Sequence, residues 1–275
     1  MSTLVVFHAH PDDEAIVTGG SMARAHAEGH RVVLVVATNG EHGEVPDDLA
    51  DGETLADRRR VETARSAAAL GIDEVLWLGY ADSGMTGWEA NAHEQSFFQA
   101  PLDEAAGRLA AILLAERADV LTIYDWHGNY GHPDHIKVHQ VGCRAEEMVS
   151  AELPGLRVFE ATMNRDEIRR QMEAAHAAGE QFEPDVEDGE FDPDGPMDDG
   201  NPMGEPESAL TLVVDVSAYV RNKFEAISAH ASQVTDSGFF TRMTPEMFAY
   251  AFGREWFIEH GRQPGLQPGW LFEDV

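Results

Sequence analysis

Cysteine is almost missing from this 275-residue chain. Cys143 stands alone, which excludes an internal disulfide and a thiolate-rich zinc site. Lysine is nearly as scarce: of 19 basic residues only Lys137 and Lys223 are lysines, against 50 Asp and Glu, for a formal net charge of −31. So negative a surface repels phosphate backbones and anionic lipid, so no nucleic-acid or membrane-surface partner is expected. Dense carboxylates also keep a protein soluble where salt screens their repulsion, and a high-salt habitat is one reading of them. No run approaches the ~20 uninterrupted apolar residues of a membrane span. The first residues enter an apolar strand with neither a basic region nor a cleavage pattern, so a cytoplasmic location is expected. No Gly-x-Gly-x-x-Gly follows that strand, only Gly19-Gly20 further on, which speaks against a dinucleotide-binding module.

What is present reads as one α/β domain over residues 1–275, with 43% hydrophobic residues for its core. Residues 3–9, 31–37, 75–78 and 119–124 are strand-like, and 14–28, 53–70 and 102–116 have helical spacing, the second ending at Gly71. That alternation predicts a Rossmann-like, mostly parallel sheet with helices on both faces. Residues 179–208 break the pattern with 12 Asp or Glu and no Lys or Arg. They read as a mobile acidic loop inserted in the domain, with a lid role open. Asp188, Glu190, Asp192 and Asp194 alternate as in a calcium loop, but the full pattern is absent. A strand at 209–215, a helix at 217–231 and an aromatic tail complete the chain. Phe239, Phe240, Phe248, Tyr250, Phe252, Trp256 and Phe257 are expected to pack the tail onto the domain.

Two short clusters carry the chemistry. Residues 8–14 read His-Ala-His-Pro-Asp-Asp-Glu and residues 131–135 read Gly-His-Pro-Asp-His. His10-Pro-Asp-Asp directly follows the first strand and the 125–135 segment directly follows the 119–124 strand, at the carboxyl ends where open α/β sheets bind ligands. Imidazole and carboxylate are the ligands a catalytic zinc takes, and the clusters hold more of them than one metal needs, leaving groups for acid–base work. If a helix starts near Pro133, His135 and His139 share a face, so a His-x3-His pair is an alternative. His8 reads as supporting or buried, and Cys143 as a small core residue.

Ala-His-Pro-Asp-Asp-Glu (9–14) and Tyr-Gly-His-Pro-Asp-His (130–135) resemble the two signature motifs of the PIG-L/LmbE family of zinc-dependent N-deacetylases. Gly40-Glu41, Arg59-x-x-Glu62, Asp82-Ser83-Gly84-Met85 and Ala229-His230-Ala231-Ser232-Gln233 recur in similar order, so the likeness spans about residues 4–235. The acidic stretch does not look like a family feature.

The resemblance implies an LmbE-like fold and one zinc per chain held by His10, Asp13 and His135. It implies Asp12 as general base, His132 as electrostatic stabiliser and acid, and Arg59, Asp82 and Tyr130 beside the substrate. His139 then becomes structural, and Asp134 would orient a ligand imidazole. For Arg59 the alternative is an ion pair with Glu62, for Asp82 a turn-forming role, and for His230 core packing. Such a donor set also accepts iron(II), cobalt or nickel. The implied reaction removes an acyl group, most simply acetyl, from an amino-sugar derivative such as an N-acetylglucosaminyl conjugate. Cleavage of a larger amide, as in mycothiol S-conjugate amidase, is the alternative within the same chemistry. A binding protein without turnover is the alternative outside it. A homo-oligomer is left open.

Overall fold

The structure is a computed structural model that describes residues 1–178, 191–233, 240 and 242–273. Five parallel strands form its centre: β1 (Thr3–His8), β2 (Arg31–Thr38), β3 (Glu74–Tyr80), β4 (Val120–Tyr124) and β5 (Arg157–Thr162). With β6 (Leu212–Asp215), β7 (Arg254–Glu259) and β8 (Gln267–Pro268) they make one sheet of order β3-β2-β1-β4-β5-β7-β6-β8. The mostly parallel α/β arrangement expected from the sequence is therefore found. The antiparallel edge, where β7 runs against both β5 and β6, was not read from the sequence.

Buried strands alternate their side chains between two cores. Val5 and Phe7 of β1 pack with Val33 and Val35 on one face, whereas Leu4 and Val6 pack with Val32 and Leu34 on the other. Both faces are covered, as a parallel sheet requires. The chain leaves β1 for β2 on one side and returns to β4 on the other, so a crevice opens at the carboxyl ends of β1 and β4. Both motifs lie there.

The single helix expected over 14–28 is two helices, α1 (Asp13–Val17) and α2 (Gly19–Ala27). The break falls at Thr18, whose hydroxyl lies 2.8 Å from His8 Nε2. The first amides of α2, Gly20 and Ser21, each donate to the Glu255 carboxylate at 2.8 Å. That carboxylate also meets Lys223 at 2.6 Å, so a buried charge sits where the helix dipole favours it. Helix α3 (Leu55–Leu70) starts on a Thr54/Asp57 capping box and ends at Gly71 in the left-handed conformation. The remaining helices are α4 (Leu102–Glu116), the short α5 (Gly128–Gly131), α6 (Pro133–Val149), α7 (Arg165–Ala178), α8 (Val220–Ala229) and α9 (Pro245–Phe252).

The acidic stretch is half described, and Asp188, Glu190 and Phe239 lie outside the described residues. Its described half is not free. Asp198 donates its amide to Tyr130 O at 3.1 Å and Gly204 to Asn129 O at 2.7 Å. Arg165 holds the carbonyls of Met203 and Gly204, each at 2.9 Å. Asp194 pairs with Arg169 at 2.8 Å. In the tail, Phe248 and Phe257 are core residues, whereas Tyr250 is exposed. Among the described residues no helix is long and apolar enough to cross a membrane.

Candidate active site

After β1 the chain turns sharply. Asp12 has φ +90°, a region that a non-glycine residue adopts only where its surroundings enforce it. The turn separates the two adjacent carboxylates. Asp13 points to the imidazoles: its Oδ2 lies 3.4 Å from His10 Nδ1 and its Oδ1 lies 3.4 Å from His135 Nε2. Asp12 points the other way and accepts from Arg59 Nη2 at 2.6 Å.

The second motif is set by α5 and the start of α6. His132 caps α6, its Nδ1 accepting from the Asp134 amide at 3.1 Å, with Pro133 in the first turn. His135 stacks on Tyr124 with ring centroids 4.3 Å apart and faces Gly128 O through Nδ1 at 3.2 Å. Gly128 has φ +69°, and a Cβ there would stand 2.4 Å from His135 Cβ, so only glycine lets the loop approach the ring this closely.

One nitrogen each of His10, His132 and His135 lies within 4.8 Å of the others. His135 Nε2 is buried without a hydrogen-bond partner. An unpaired buried nitrogen is costly unless something else occupies its lone pair. Together with the Asp13 carboxylate, these residues fit a borderline divalent metal. His10 has its other nitrogen secured, with Nε2 lying 3.2 Å from Asp134 Oδ2. Asp134 is completely buried and is held by the amide and hydroxyl of Ser83. Such an outer carboxylate orients a ligand imidazole.

The electrostatics suit a cation. Burial would lower the His10 pKa, but Asp82, Asp13 and Asp134 outweigh it and raise it well above the ordinary value. Burial would raise the Asp13 carboxyl, but His135 and His10 hold it well below the carboxylate range. Burial pushes Asp12 up to about 6, against the opposing charge of Arg59. Burial, with His10 and His135 adding to it, lowers His132 to about 2, so its ring is neutral.

Arg59 is 4% exposed. Besides Asp12 it donates to Gly40 O at 2.9 Å and Pro11 O at 2.5 Å. Glu62 instead accepts from the amide and hydroxyl of Ser232. Asp82 lies 3.6 Å from His10 Nε2 and accepts from the amides of Gly84 and His42, combining the turn role with a place beside the imidazole. The Tyr130 ring is 5.0 Å from that of His135. All three residues line a cavity of about 600 Å³ together with Asp12, Asp13 and the three histidines. His139 lies outside that lining.

Sequence reasoning did not single out Glu14 and Tyr124. Glu14 is completely buried and accepts from the Asp12 amide, Ser66 and His230. Tyr124 lies between His135 and His8, whose Nδ1 is 2.7 Å from its hydroxyl. Burial lowers His8 to about 4, so it supports the site as a neutral ring. The available signals were the third acid of the first motif and a tyrosine ending an otherwise apolar strand.

Residues 5–146 match the PIG-L family, described as GlcNAc-PI de-N-acetylase. The chain belongs to the PIG-L family. Among its relatives is the 1D-myo-inositol 2-acetamido-2-deoxy-alpha-D-glucopyranoside deacetylase of Acidothermus cellulolyticus, 38% identical over 267 residues that cover 93% of this chain and 88% of that one. The enzyme of the same name from Thermobifida fusca is 39% identical over 277 residues, covering 96% and 95%. Among solved structures, N,N'-diacetylchitobiose deacetylase from Pyrococcus horikoshii superposes with a TM-score of 0.60 at 21% identity, covering 94% and 83%. At that identity the likeness shows the PIG-L fold alone. The relatives named here are deacetylases, and this chain carries a buried His/Asp cluster that could hold a metal.

Proposed function

We propose that this protein is a zinc-dependent N-deacetylase that removes acetyl from the glucosamine of an N-acetylglucosaminyl conjugate with a polar, polyol-type aglycone of the inositol kind. The observation that carries the reading is the division of labour between Asp13 and Asp12. One carboxylate faces two imidazoles across 3.4 Å gaps, and its neighbour is turned away onto Arg59 at 2.6 Å. The aglycone follows the names of the relatives, which are 38% and 39% identical.

His10, Asp13 and His135 would hold the zinc. When bound, zinc supplies an acidified water and a Lewis acid for the amide carbonyl. Asp12 takes the proton of the attacking water. Its carboxyl, pushed up to about 6, lies close enough to neutrality both to accept a proton and to return it. His132 keeps its proton on Nε2, because Nδ1 accepts the Asp134 amide. As a neutral donor it stabilises the negative charge that develops on the carbonyl oxygen. With His132 neutral, the proton taken up by Asp12 is the one delivered to the departing nitrogen. Arg59 fixes the Asp12 rotamer, while Asp82 and Tyr130 line the cavity where sugar hydroxyls lie. The cavity of about 600 Å³ admits a ligand of disaccharide size.

The test is amine release from a panel of N-acetylglucosamine conjugates, run on chelated protein and after zinc addition. Zinc-dependent release, fastest with polyol aglycones, is the expected result. Release only from larger amides would move the assignment to an amidase. No release from protein holding metal would overturn the catalytic reading.

A further inference from the structure

One turn beyond His135, helix α6 presents another set of ligand-type side chains that the deacetylase chemistry does not use. We propose that His139, Cys143, Glu160 and His260 form a second, structural binding site for a divalent transition metal of the zinc class. The sequence reads His139 as structural, since the family pattern fills the catalytic site with His135, and Cys143 as a small core residue; Glu160 and His260 are brought to them only by the sheet.

Three elements converge. Helix α6 places His139, Cys143 and Glu146 on one face at i, i+4 and i+7. Glu160 comes from β5. His260 follows β7, its amide bonded to Val158 O at 2.9 Å. Ligand atoms of His139, Cys143 and Glu160 all lie within 4.8 Å of one another. Cys143 Sγ is 3.6 Å from His139 Nε2, and His260 Nε2 is 3.0 Å from Glu160 Oε1. Neighbouring ligands of a tetrahedral zinc stand about 3.3–3.7 Å apart, given Zn–N and Zn–S bonds of about 2.0 and 2.3 Å. The Cys143–His139 edge already matches and the His260–Glu160 edge has to open by a few tenths of an ångström. Glu160 now stands 3.5 Å from His139 Nδ1, and His260 lies outside the 4.8 Å group, so both have to swing towards His139 Nε2 as the metal binds.

The surroundings of the two imidazoles argue for a built site. Each has its Nδ1 engaged by an oxygen, which leaves Nε2 for the metal: His139 on Tyr124 O at 3.1 Å, His260 on Glu146 Oε2 at 2.7 Å. An outer carbonyl or carboxylate of this kind is the usual companion of a metal-bound histidine. The thiol is tuned in the same sense. Burial would raise it, but His139 and His260 outweigh that and bring it to about 7, so the thiolate a metal needs is accessible near neutrality. All four ligand residues are half-buried, which leaves a path for entry. Four protein ligands leave no open position, so the site would clip α6 to β5 and β7 and take no part in hydrolysis.

The sole cysteine makes the test specific. Because Cys143 is the sole cysteine, a thiolate-to-cobalt charge-transfer band can arise only there. Chelated protein is titrated with Co2+ while absorbance and bound metal are followed. Expected is a second equivalent per chain, binding with a near-ultraviolet charge-transfer band and raising the melting temperature. In Cys143→Ser the band and that equivalent are lost, while deacetylation by the zinc-loaded enzyme is unchanged. His260→Gln weakens the second equivalent at least tenfold. Wild-type protein alone gives an independent readout, because zinc beyond the first equivalent should slow alkylation of Cys143. One equivalent only, no charge-transfer band and unprotected Cys143 would overturn the proposal even if Cys143→Ser failed to fold.

Discussion

Arg59 Nη2 donates to Asp12 Oδ2 at 2.6 Å across 47 residues of sequence, and this contact fixes where the proposed base points. It depends on Gly40. A Cβ there would stand 2.2 Å from Arg59 Nη1, and the residue has φ +63°. The guanidinium also opposes the burial that pushes the Asp12 carboxyl up to about 6.

Arg59→Gln removes that opposing charge, so the Asp12 pKa rises further. A general base works only when deprotonated, so the acid limb of kcat/KM moves to higher pH, by about one unit for each ~1.4 kcal/mol of lost stabilisation. At neutral pH kcat falls, by about twofold for a shift of about one unit and more for a larger one, and bound metal is unchanged. A pH–rate profile of the two proteins checks this; an unmoved acid limb would disconnect Arg59 from the base.

Metal and chemistry should separate between neighbouring carboxylates. Asp12→Ala is expected to abolish turnover, a loss of about 100-fold or more, while holding metal close to wild type. His10→Ala loses both, because its imidazole faces Asp13 at 3.4 Å. Chelation of the wild type removes activity and lowers the melting temperature, since a ligand that binds only the folded state stabilises it. Metal analysis beside activity distinguishes these outcomes, and an Asp12→Ala protein hydrolysing at the wild-type rate would sink the base assignment.

The pair of Glu14 and His230, 2.7 Å apart and almost fully buried, makes stability depend on pH. Burial would raise Glu14 and lower His230, but each partner outweighs it, so the Glu14 pKa is lowered and the His230 pKa raised. The carboxylate's contribution is present above its unfolded pKa of about 4.3 and is lost as pH falls through the folded value. The imidazole's contribution is complete below its unfolded pKa of about 6.5 and is lost as pH rises through the folded value. The pair therefore stabilises most between about pH 4.3 and 6.5. His230→Ala leaves a buried charge unpaired at a cost of about 3–5 kcal/mol. Its melting temperature is expected to lose the maximum over that window, together with the fall that the pair causes above about pH 6.5, which calorimetry at several pH values would read.

Sequence pattern carried the central sheet because its signals are local. The apolar runs of β1, β2 and β4 alternate with helical spacing, and the segments that carry the motifs follow β1 and β4. The Asp-Asp pair was legible as two roles, but not which partner turns Asp12 aside, since Arg59 arrives from α3 by way of Gly40. Glu14 and His230 are 216 residues apart, and no periodicity joins them. β7 was hidden inside an aromatic tail whose residues read as packing. The α1–α2 break at Thr18 escaped because Thr18 is tolerated in a helix and its reason, the His8 contact, is tertiary.

The negative charge of −31 gives a salt prediction. Repulsion among exposed carboxylates is screened within about 8–10 Å at 0.10–0.15 M salt and within about 3 Å at 1 M. The melting temperature is expected to rise from 0.1 M towards 1 M potassium chloride. A flat or falling curve would show that ion pairs such as Arg58–Glu53, at 2.8 Å, outweigh the net repulsion.

Gly131 joins the second motif to the acidic stretch. It has φ +91°, and a Cβ there would stand 2.4 Å from the Asp199 amide and 2.6 Å from Asp199 Cβ. Gly131→Ala therefore carries backbone strain of about 1–2 kcal/mol and pushes away the segment that Asp198 and Gly204 fasten to the loop. Met203, from the same segment, lines the cavity. Displacing it should loosen substrate binding without touching the metal cluster. KM is then expected to rise several-fold, with kcat reduced less and metal content unchanged. A fall in kcat with KM unmoved would mean that the substitution instead reached His132 through the backbone.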